Sequence, residues 1–147
     1  MTWSYIAGFF DGEGSLVHNK KGFRIFITQT NQEVLEKIKT FTNFGYVIKI
    51  SKRKPHWKDS WLYFIAKQED IYQFLISTSS LLIVKKELIL KAIPQLKDAL
   101  FKQQQRKKKF YRRIKMSKKL REKGYSYRKI GKILKIDFGY ARRLSLK

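Results

Sequence analysis

The sequence predicts an α+β protein in which a four-stranded antiparallel sheet carries helices on one face and a small all-α extension follows. Two patterns predict this class. Hairpin-like strand pairs alternate with helical segments in the order αββαββα, and Lys and Arg are concentrated after residue 105. With 43% hydrophobic residues, including 11 Phe, 8 Tyr and 3 Trp, the chain can form a substantial core.

The first part of the chain begins with a predicted helix and a predicted hairpin. The helix covers residues 4–10, and we expect Gly12 and Gly14 to end it. The hairpin covers residues 15–20 and 23–30, because apolar and polar residues alternate there. A Lys-Gly pair between the two strands tolerates the positive φ that a tight turn requires.

A second helix and a second strand pair follow. Asn31 is a suitable N-cap for the helix, whose apolar residues recur at helical spacing until Gly45. The strand pair covers residues 46–52 and 60–66. In its first strand either alternate set of side chains could face outward.

Helical periodicity returns at residues 71–75 and over residues 82–100, where Pro94 is expected to introduce a kink. The polar run at residues 103–109 has no apolar residue to bury and is typical of a linker or of a solvated helix end. We therefore divide the chain into a first domain, residues 1–104, and a basic extension, residues 105–147.

Charge narrows the class of partner. The chain carries 34 Lys and Arg against 11 Asp and Glu, a formal charge of +23, which favours a polyanion because each pairing with a phosphate releases counterions. Composition alone leaves open an architectural or ribosomal protein without catalysis.

The sequence has no cysteine and only His18 and His56 as histidines, so a metal would have to be bound by carboxylates. No apolar stretch approaches the length of a membrane span, and we expect an intracellular location.

Residues 5–15 combine features that a purely structural helix avoids. Ala7, Gly8 and Gly12 place small residues where another helix backbone could approach closely. Asp11 and Glu13 lie at the C-terminal end of the predicted helix, where the helix dipole disfavours carboxylates. A divalent cation such as Mg²⁺ would offset that charge, since it binds one or two carboxylates together with phosphate oxygens. A surface turn is an equal alternative for the acid pair on these grounds.

The segment from Ile6 to Gly14, Ile-Ala-Gly-Phe-Phe-Asp-Gly-Glu-Gly, resembles the LAGLIDADG motif of the homing endonucleases over its whole length. The order αββαββα over residues 2–102 fits the core fold of that family. Only one copy of the motif is present, so the resemblance implies a homodimer whose two motif helices pack on a twofold axis. The residues implied for that helix and interface are Ile6, Ala7, Gly8, Asp11 and Gly12.

The resemblance also implies roles for individual residues near the scissile phosphate. Glu13 matches the metal-binding acid of the motif, and Gly12 would offer its backbone carbonyl to the metal. Asp11 matches the acid that organises the helix end. Gln29 matches a position that orders active-site waters, and Lys85 matches the basic residue near the phosphate. Lys86 competes with Lys85 for that role, and a solvated helix start is the alternative for both lysines. Gln29 could equally have no catalytic role.

The implied activity is hydrolysis of both strands of a pseudo-palindromic DNA site with Mg²⁺, leaving short 3′ overhangs. Calcium is expected as a substitute that does not support cleavage. The alternative is a non-catalytic binder, either an RNA maturase or a DNA-binding regulator. Glu13 favours the enzyme, because a binder has no need of an acid at a helix end that faces phosphate.

The sheet face opposite the helices is predicted to contact DNA, because a β-ribbon fits the major groove and polar side chains there can read base edges. An ordinary solvated sheet face is the alternative. The residues predicted to contact DNA from this part of the chain are Asn19, Lys21, Arg24, Thr28, Lys52 and Arg53.

The basic extension resembles a helix-turn-helix. Ser126 and Asp137 are N-cap types eleven residues apart, and each precedes a short apolar stripe. Gly131 would let the two helices cross closely, and Lys135 stands where a turn glycine is usual. The stripes are Ile130, Ile133 and Leu134 in the first helix, and Ala141 and Leu144 in the second.

If the second of these helices enters a major groove, Tyr140, Arg142 and Arg143 face nucleic acid. Phosphate contacts are then expected from Lys118, Lys119, Arg128 and Lys129. The alternative is a basic helical pair that contacts only the phosphate backbone.

Overall fold

The computed structural model describes residues 1–52 and 54–147. The predicted order of elements is confirmed. The elements are α1 Trp3–Glu13, β1 Gly14–Asn19, β2 Gly22–Gln29, α2 Gln32–Thr42, β3 Tyr46–Ile50, β4 Ser60–Ile65, α3 Gln68–Ser79, α4 Lys86–Glu122, α5 Tyr127–Leu134 and α6 Phe138–Ser145.

The four strands form one antiparallel sheet in the order β1-β2-β4-β3. Alternation along the two central strands defines its faces: Ile25, Ile27, Tyr63 and Ile65 are fully buried, while the residues between them are half-buried or exposed. The buried set packs with α1, α2 and α3 and with the first part of α4 into one hydrophobic core. The helices therefore cover one face of the sheet, as predicted.

The structure settles which side chains of β3 face outward. Val47 packs against the core, whereas Tyr46 and Ile48 are exposed. Because side chains alternate between the two faces of a strand, Ile50 lies on the outer face with them.

Helix α1 is longer than predicted. It continues through Gly12 to Glu13, and Gly14 is its C-cap in an extended conformation. A Cβ at position 14 would collide with the Phe10 ring, so glycine is required there by packing. The burial of Ile6, Ala7 and Phe10 stabilises a helix that its glycines alone would weaken.

The hairpin of β1 and β2 is held by the side chain of Gln68. Its amide oxygen accepts from the Phe23 backbone N–H at 2.9 Å, and its amide nitrogen donates to the Phe23 carbonyl at 2.9 Å. The side chain thus takes the place of a paired strand residue at the start of β2, where β4 no longer pairs with it. Gly22, with φ of +108°, adjoins the same amide, and a Cβ there would lie 2.5 Å from the Gln68 oxygen.

The chain divides into two compact units, Met1–Leu100 and Phe101–Lys147. Helix α4 supplies residues to both, and Pro94 lies inside it. The polar run at residues 103–109 is helical, so the predicted boundary after residue 104 falls within α4 and stays a prediction. No helix of the described residues is long and apolar enough to span a membrane.

In the second unit the predicted caps form. The Ser126 hydroxyl accepts from the Lys129 amide at 3.4 Å, and the Asp137 carboxylate accepts from the Tyr140 amide at 3.1 Å. Lys135 ends α5 in the left-handed conformation, with φ of +51°. The expectation for Ile133 is wrong, because it is 47% exposed while Gly131 takes a buried position beside Ile130.

We expect Lys135→Gly to stabilise the pair α5 and α6. The left-handed backbone conformation costs lysine about 1–2 kcal/mol relative to glycine. Part of the gain from removing this cost is lost, because glycine raises the conformational entropy of the unfolded chain. The net gain should be about 0.5–1 kcal/mol, measured as slower amide hydrogen exchange in both helices.

The matched control is Lys132→Gly in the middle of α5, which should lose about 1 kcal/mol through helix propensity. If both substitutions speed amide hydrogen exchange in the two helices equally, the left-handed conformation of Lys135 does not destabilise the pair.

Candidate active site

The end of α1 is joined to the start of α4 by one carboxylate. Both oxygens of Asp11 accept backbone amides from the segment that precedes α4: one accepts from Ile83 at 2.6 Å and from Val84 at 3.1 Å, and the other accepts from Lys85 at 2.9 Å. Amide donors ahead of a helix have no intrahelical acceptor. Asp11 supplies that acceptor from a position 72 to 74 residues earlier in the chain.

These hydrogen bonds decide the charge state of Asp11. Desolvation by its surroundings raises the pKa of the carboxyl, but the amides of Ile83, Lys85 and Val84 and the Lys85 ammonium outweigh it, so the net pKa lies below its ordinary value. Hydrogen bonds to the charged form favour ionisation. Asp11 is therefore an anion at neutral pH, and both of its oxygens are engaged.

The hydrogen bonds of Asp11 to the amides of residues 83–85, here called the Asp11 clamp, bring the Lys85 side chain to the end of α1. Its ammonium donates to the Asp11 backbone carbonyl and lies 5.9 Å from the centre of the Phe10 ring. Lys86 is exposed and is the first residue of α4. The structure thus brings Lys85 to the motif, while its catalytic role stays a prediction.

Glu13 differs from Asp11 in being free. It is the last residue of α1 and is exposed, and within residues 1–52 and 54–147 its carboxylate has no hydrogen bond or ion pair. Gly12 beside it is also exposed.

A single free carboxylate and a carbonyl suit a magnesium ion whose other ligands are water and phosphate oxygens. The described residues contain no group of three or more His, Asp or Glu that could bind a metal by themselves. The donor set therefore fits a cation held jointly with a substrate, and does not form a complete site within one chain.

Gln29 ends β2 close to the same helix terminus. Gly14, which follows Glu13, pairs with Ile27, and Gln29 lies two residues further along β2. Its side-chain oxygen accepts from the Thr30 amide at 2.8 Å. This bond fixes the side chain at the strand end, and its predicted role in ordering water is untested.

The exposed face of α1 is open. Gly8 and Gly12 have free space where a Cβ would stand, and the rings of Tyr5 and Phe9 stack beside them with centroids 5.9 Å apart. Glycines four residues apart on an unobstructed helix face permit close approach of another backbone.

Two residues predicted for the dimer interface must be corrected. Ile6 and Ala7 are fully buried in the chain's own core, so they are not on the surface that a second copy could reach. Asp11 is occupied by the segment before α4. Of the predicted set, Gly8 and Gly12 remain available.

The outer face of the sheet is more apolar than predicted. One row across the strands consists of Ser15, Phe26, Phe64 and Tyr46. The Phe26 and Phe64 rings stack at 5.2 Å, and the Arg24 guanidinium lies 5.6 Å from the Phe64 ring. Sequence reasoning missed these aromatics because alternation in a strand with two apolar faces does not reveal which set is outside.

The predicted polar contacts lie at the margins of that face. Asn19 ends β1 and Lys21 is in the hairpin turn that follows, where the Asn19 side chain accepts from the Lys21 amide at 2.9 Å. Thr28 is exposed near the end of β2. Lys52 pairs with Asp59 at 3.2 Å, and Arg53 lies outside the described residues.

In the second unit the predicted residues are partly held by aromatic rings. The Lys129 ammonium lies 4.6 Å from the Tyr125 ring, and the Arg143 guanidinium lies 5.8 Å from the Tyr140 ring. Arg142 is exposed on α6. Cations over rings are restricted in orientation without losing their charge.

We expect Asp11→Asn to destabilise the first unit, because an amide offers one acceptor oxygen to donors that now use two. The free energy of unfolding at pH 7 should fall by about 1–3 kcal/mol. The stabilisation by the depressed pKa is present above the unfolded value of 3.8 and is lost as pH falls through the folded value. The gap between wild type and variant should therefore narrow below about pH 4 in urea titrations.

Asp98→Asn, at an exposed position of α4, is the control and should leave the unfolding free energy unchanged. A loss for Asp11→Asn that persists undiminished at pH 3 would show that the carboxylate charge is not what holds the segment before α4.

Comparison with known proteins places this fold. Residues 3–92 match the family model of the LAGLIDADG-like domain. No curated protein matches the sequence. Among solved structures, the archaeal intron-encoded homing endonuclease I-Vdi141I, complexed with DNA, is 20% identical with a TM-score of 0.52, and the alignment covers 97% of this chain and 93% of that one.

Two further structures share the fold over the first part of the chain. The LAGLIDADG meganuclease I-AabMI, bound to uncleaved DNA, is 20% identical with a TM-score of 0.53 over 67% of this chain and 38% of that one. The homing endonuclease I-CvuI, in complex with its target in the presence of Ca, is 17% identical with a TM-score of 0.51 over 65% of both chains. Another I-CvuI structure is a complex with the I-CreI target in the presence of 2 mM Mg, in which the DNA is not cleaved.

This chain thus spans about 65% of the length of I-CvuI, and at these identities the likenesses show the fold. The family match covers more than half of the chain and includes α1, the whole sheet and the start of α4. The chain belongs to the LAGLIDADG family.

Proposed function

We propose that this chain is a site-specific, divalent-metal-dependent DNA endonuclease of the intron-encoded type, acting inside the cell as a homodimer on a pseudo-palindromic site and leaving short 3′ overhangs. The observation that carries the proposal is the contrast at the motif terminus. Both carboxylate oxygens of Asp11 accept hydrogen bonds from the segment before α4. Glu13, in contrast, is exposed at the C-terminal end of α1, where Lys85 donates to the Asp11 backbone carbonyl.

The proposed homodimer is supported by the single free motif carboxylate of each chain. One chain offers a single free motif carboxylate, while cleavage of both strands needs two centres. The open face of α1 at Gly8 and Gly12 would let a second α1 approach, and the stacked Tyr5 and Phe9 would lie beside that contact. A twofold axis through this face would bring both Glu13 side chains together and match a palindromic site.

At each centre Glu13 and the Gly12 carbonyl would hold Mg²⁺ together with a phosphate oxygen. When bound, the cation supplies positive charge that stabilises charge developing on the phosphate. Lys85 would add a fixed ammonium near that phosphate, and Gln29 would orient water from the end of β2. Calcium would bind the same oxygen ligands without supporting cleavage.

DNA would lie on the outer face of the sheet. Arg24 and Thr28 offer hydrogen bonds to base edges or phosphates, while Phe26, Phe64 and Leu62 form an apolar centre that could contact thymine methyl groups in the major groove. The hairpin turn with Asn19 and Lys21 would contact phosphates at one margin of this face.

A second candidate function is a non-catalytic binder, such as an RNA maturase or a DNA-binding regulator. The row of Phe26, Phe64 and Tyr46 favours it, because four-stranded sheets that bind single-stranded RNA present aromatic residues on their strands for stacking. Glu13 would then have no role.

The decisive experiment is cleavage of a duplex selected from a randomised library by the purified full chain. We expect Mg²⁺-dependent cutting by the wild type and a loss of about a hundredfold or more in Glu13→Gln, because several kcal/mol of charge stabilisation would be removed. Lys85→Met should also lose activity strongly, while Lys86→Met should keep most of it.

The control for the carboxylate is Glu33→Gln on α2, whose ion pair with Lys37 is exposed and should affect neither folding nor cleavage. Binding without cutting by the wild type, or unchanged cutting by Glu13→Gln, would overturn the endonuclease. Tighter binding of single-stranded RNA than of duplex DNA would favour the second candidate.

The dimer is tested by Gly8→Leu. The single chain has room for the side chain, and replacing a helical glycine should favour α1 by up to about 1 kcal/mol. We expect the variant to fold at least as stably as the wild type but to be monomeric in sedimentation equilibrium and inactive on duplex DNA.

Thr40→Leu, at an exposed position of α2, adds a similar apolar side chain elsewhere and should leave the dimer intact. A Gly8→Leu variant that remains dimeric and cuts both strands would show that the α1 face is not the interface.

A further inference from the structure

We infer that residues 101–147 form a second DNA-reading unit, in which α6 enters a major groove and specifies bases there. This inference goes beyond the proposed cleavage and rests on residues outside the family match, which ends at residue 92. Four observations within this unit carry it.

The first observation is uncompensated charge. Residues 101–147 hold 19 Lys and Arg against Glu122 and Asp137. All the ion pairs found among the described residues involve residues between 33 and 70, and the Asp137 carboxylate is used as an N-cap. A net charge of +17 with no internal ion pair in the described part of this unit fits a polyanionic partner.

The second observation is rigidity of the helix pair. Ile130, Ala141 and Leu144 are fully buried. At Gly131 a Cβ would lie 2.8 Å from the Ile136 carbonyl oxygen, so α5 and the turn make a contact that only glycine permits. A helix held this way can present side chains to a groove without first paying a large ordering entropy.

The third observation is the composition of the exposed side of α6. Ala141 and Leu144 face inward, and helical spacing places Gly139, Arg142 and Arg143 on the opposite side. Gly139 has no side chain and only the Asp137 carboxylate near its Cβ direction, so the backbone can approach base edges. Arginine donates two parallel hydrogen bonds to guanine, the commonest specific contact in the major groove.

The fourth observation is a basic groove at the start of α6. It has a volume of about 490 Å³, and its lining includes Arg128, Lys132 and Lys135 together with the exposed Phe138. In helix-turn-helix proteins the first helix crosses the backbone while the second lies in the groove. Cations of α5 beside the α6 terminus fit that division, with phosphates in the groove and bases under α6.

These features favour duplex DNA over duplex RNA. The major groove of B-form DNA is about 12 Å wide and admits a helix, whereas the major groove of A-form RNA is too narrow for side chains to read. A single exposed helix with two adjacent arginines therefore has a geometric match in DNA.

The test compares base selection by full-length variants. The full chain and Arg142→Ala/Arg143→Ala would each select from a randomised duplex DNA library in Ca²⁺, so that binding is read without cleavage. We expect the variant to lose a block of specified base positions and to bind the wild-type selected duplex about fivefold to 150-fold more weakly per lost arginine contact.

The matched control is Lys107→Ala/Lys108→Ala, which removes the same charge from exposed positions of α4. It should weaken binding of all sequences similarly and leave the selected bases unchanged. Both arginines of α6 are exposed, so thermal unfolding should show both double variants folded.

Two outcomes would overturn the inference: identical selected sequences for the arginine variant and the wild type, or a preference of the wild type for duplex RNA of the same length. Repeating the selection in Glu13→Gln keeps the result separate from the proposed cleavage. A loss of bases in the arginine variant would stand even if no variant cuts DNA.

Discussion

The contact on which the candidate site depends is the carboxylate of Asp11 with the three amides of residues 83–85. Ile83 and Val84 are 86% and 78% exposed, so burial of their side chains cannot hold that segment in place. Charge-assisted hydrogen bonds are stronger than neutral ones, and here they fix both the start of α4 and the position of Lys85. The end of the motif helix thereby gains a cation that the sequence places more than seventy residues away.

The two acids of the motif consequently do different work although they are separated by one residue. Asp11 turns toward amides of its own chain, and those donors keep it ionised with its pKa below the ordinary value. Glu13 ends the helix, where partial negative charge already accumulates, and it has no compensating donor among the described residues. That arrangement is unfavourable for a protein that only folds. Under the proposed function, a cation held together with a phosphate would offset that charge.

Sequence could predict the parts of this structure that are local. The N-caps at Asn31, Ser126 and Asp137 bond to amides three residues on, so residue type and spacing suffice. The length of α1 could not be predicted, because core packing of Phe10 overrides the cost of Gly12. The Asp11 clamp could not be predicted either, since nothing local distinguishes its distant amide partners. The aromatic row on the outer sheet face required the register of β2 and β4, which alternation alone leaves open.

The apolar centre of the outer sheet face gives the proposed enzyme a use for a second unit that reads bases. At the centre of the outer sheet face the side chains of Phe26, Leu62 and Phe64 carry no hydrogen-bonding groups, so hydrogen bonds to bases would come from Arg24 and Thr28 beside them. Apolar contacts can recognise thymine methyl groups, but they do not distinguish guanine from adenine. Arg142 and Arg143 of α6 would add two further groups that can make that distinction through guanine. Under the proposed function, loss of the α6 arginines should therefore relax sequence choice, while Glu13 and Lys85, the residues proposed for cleavage, stay unchanged.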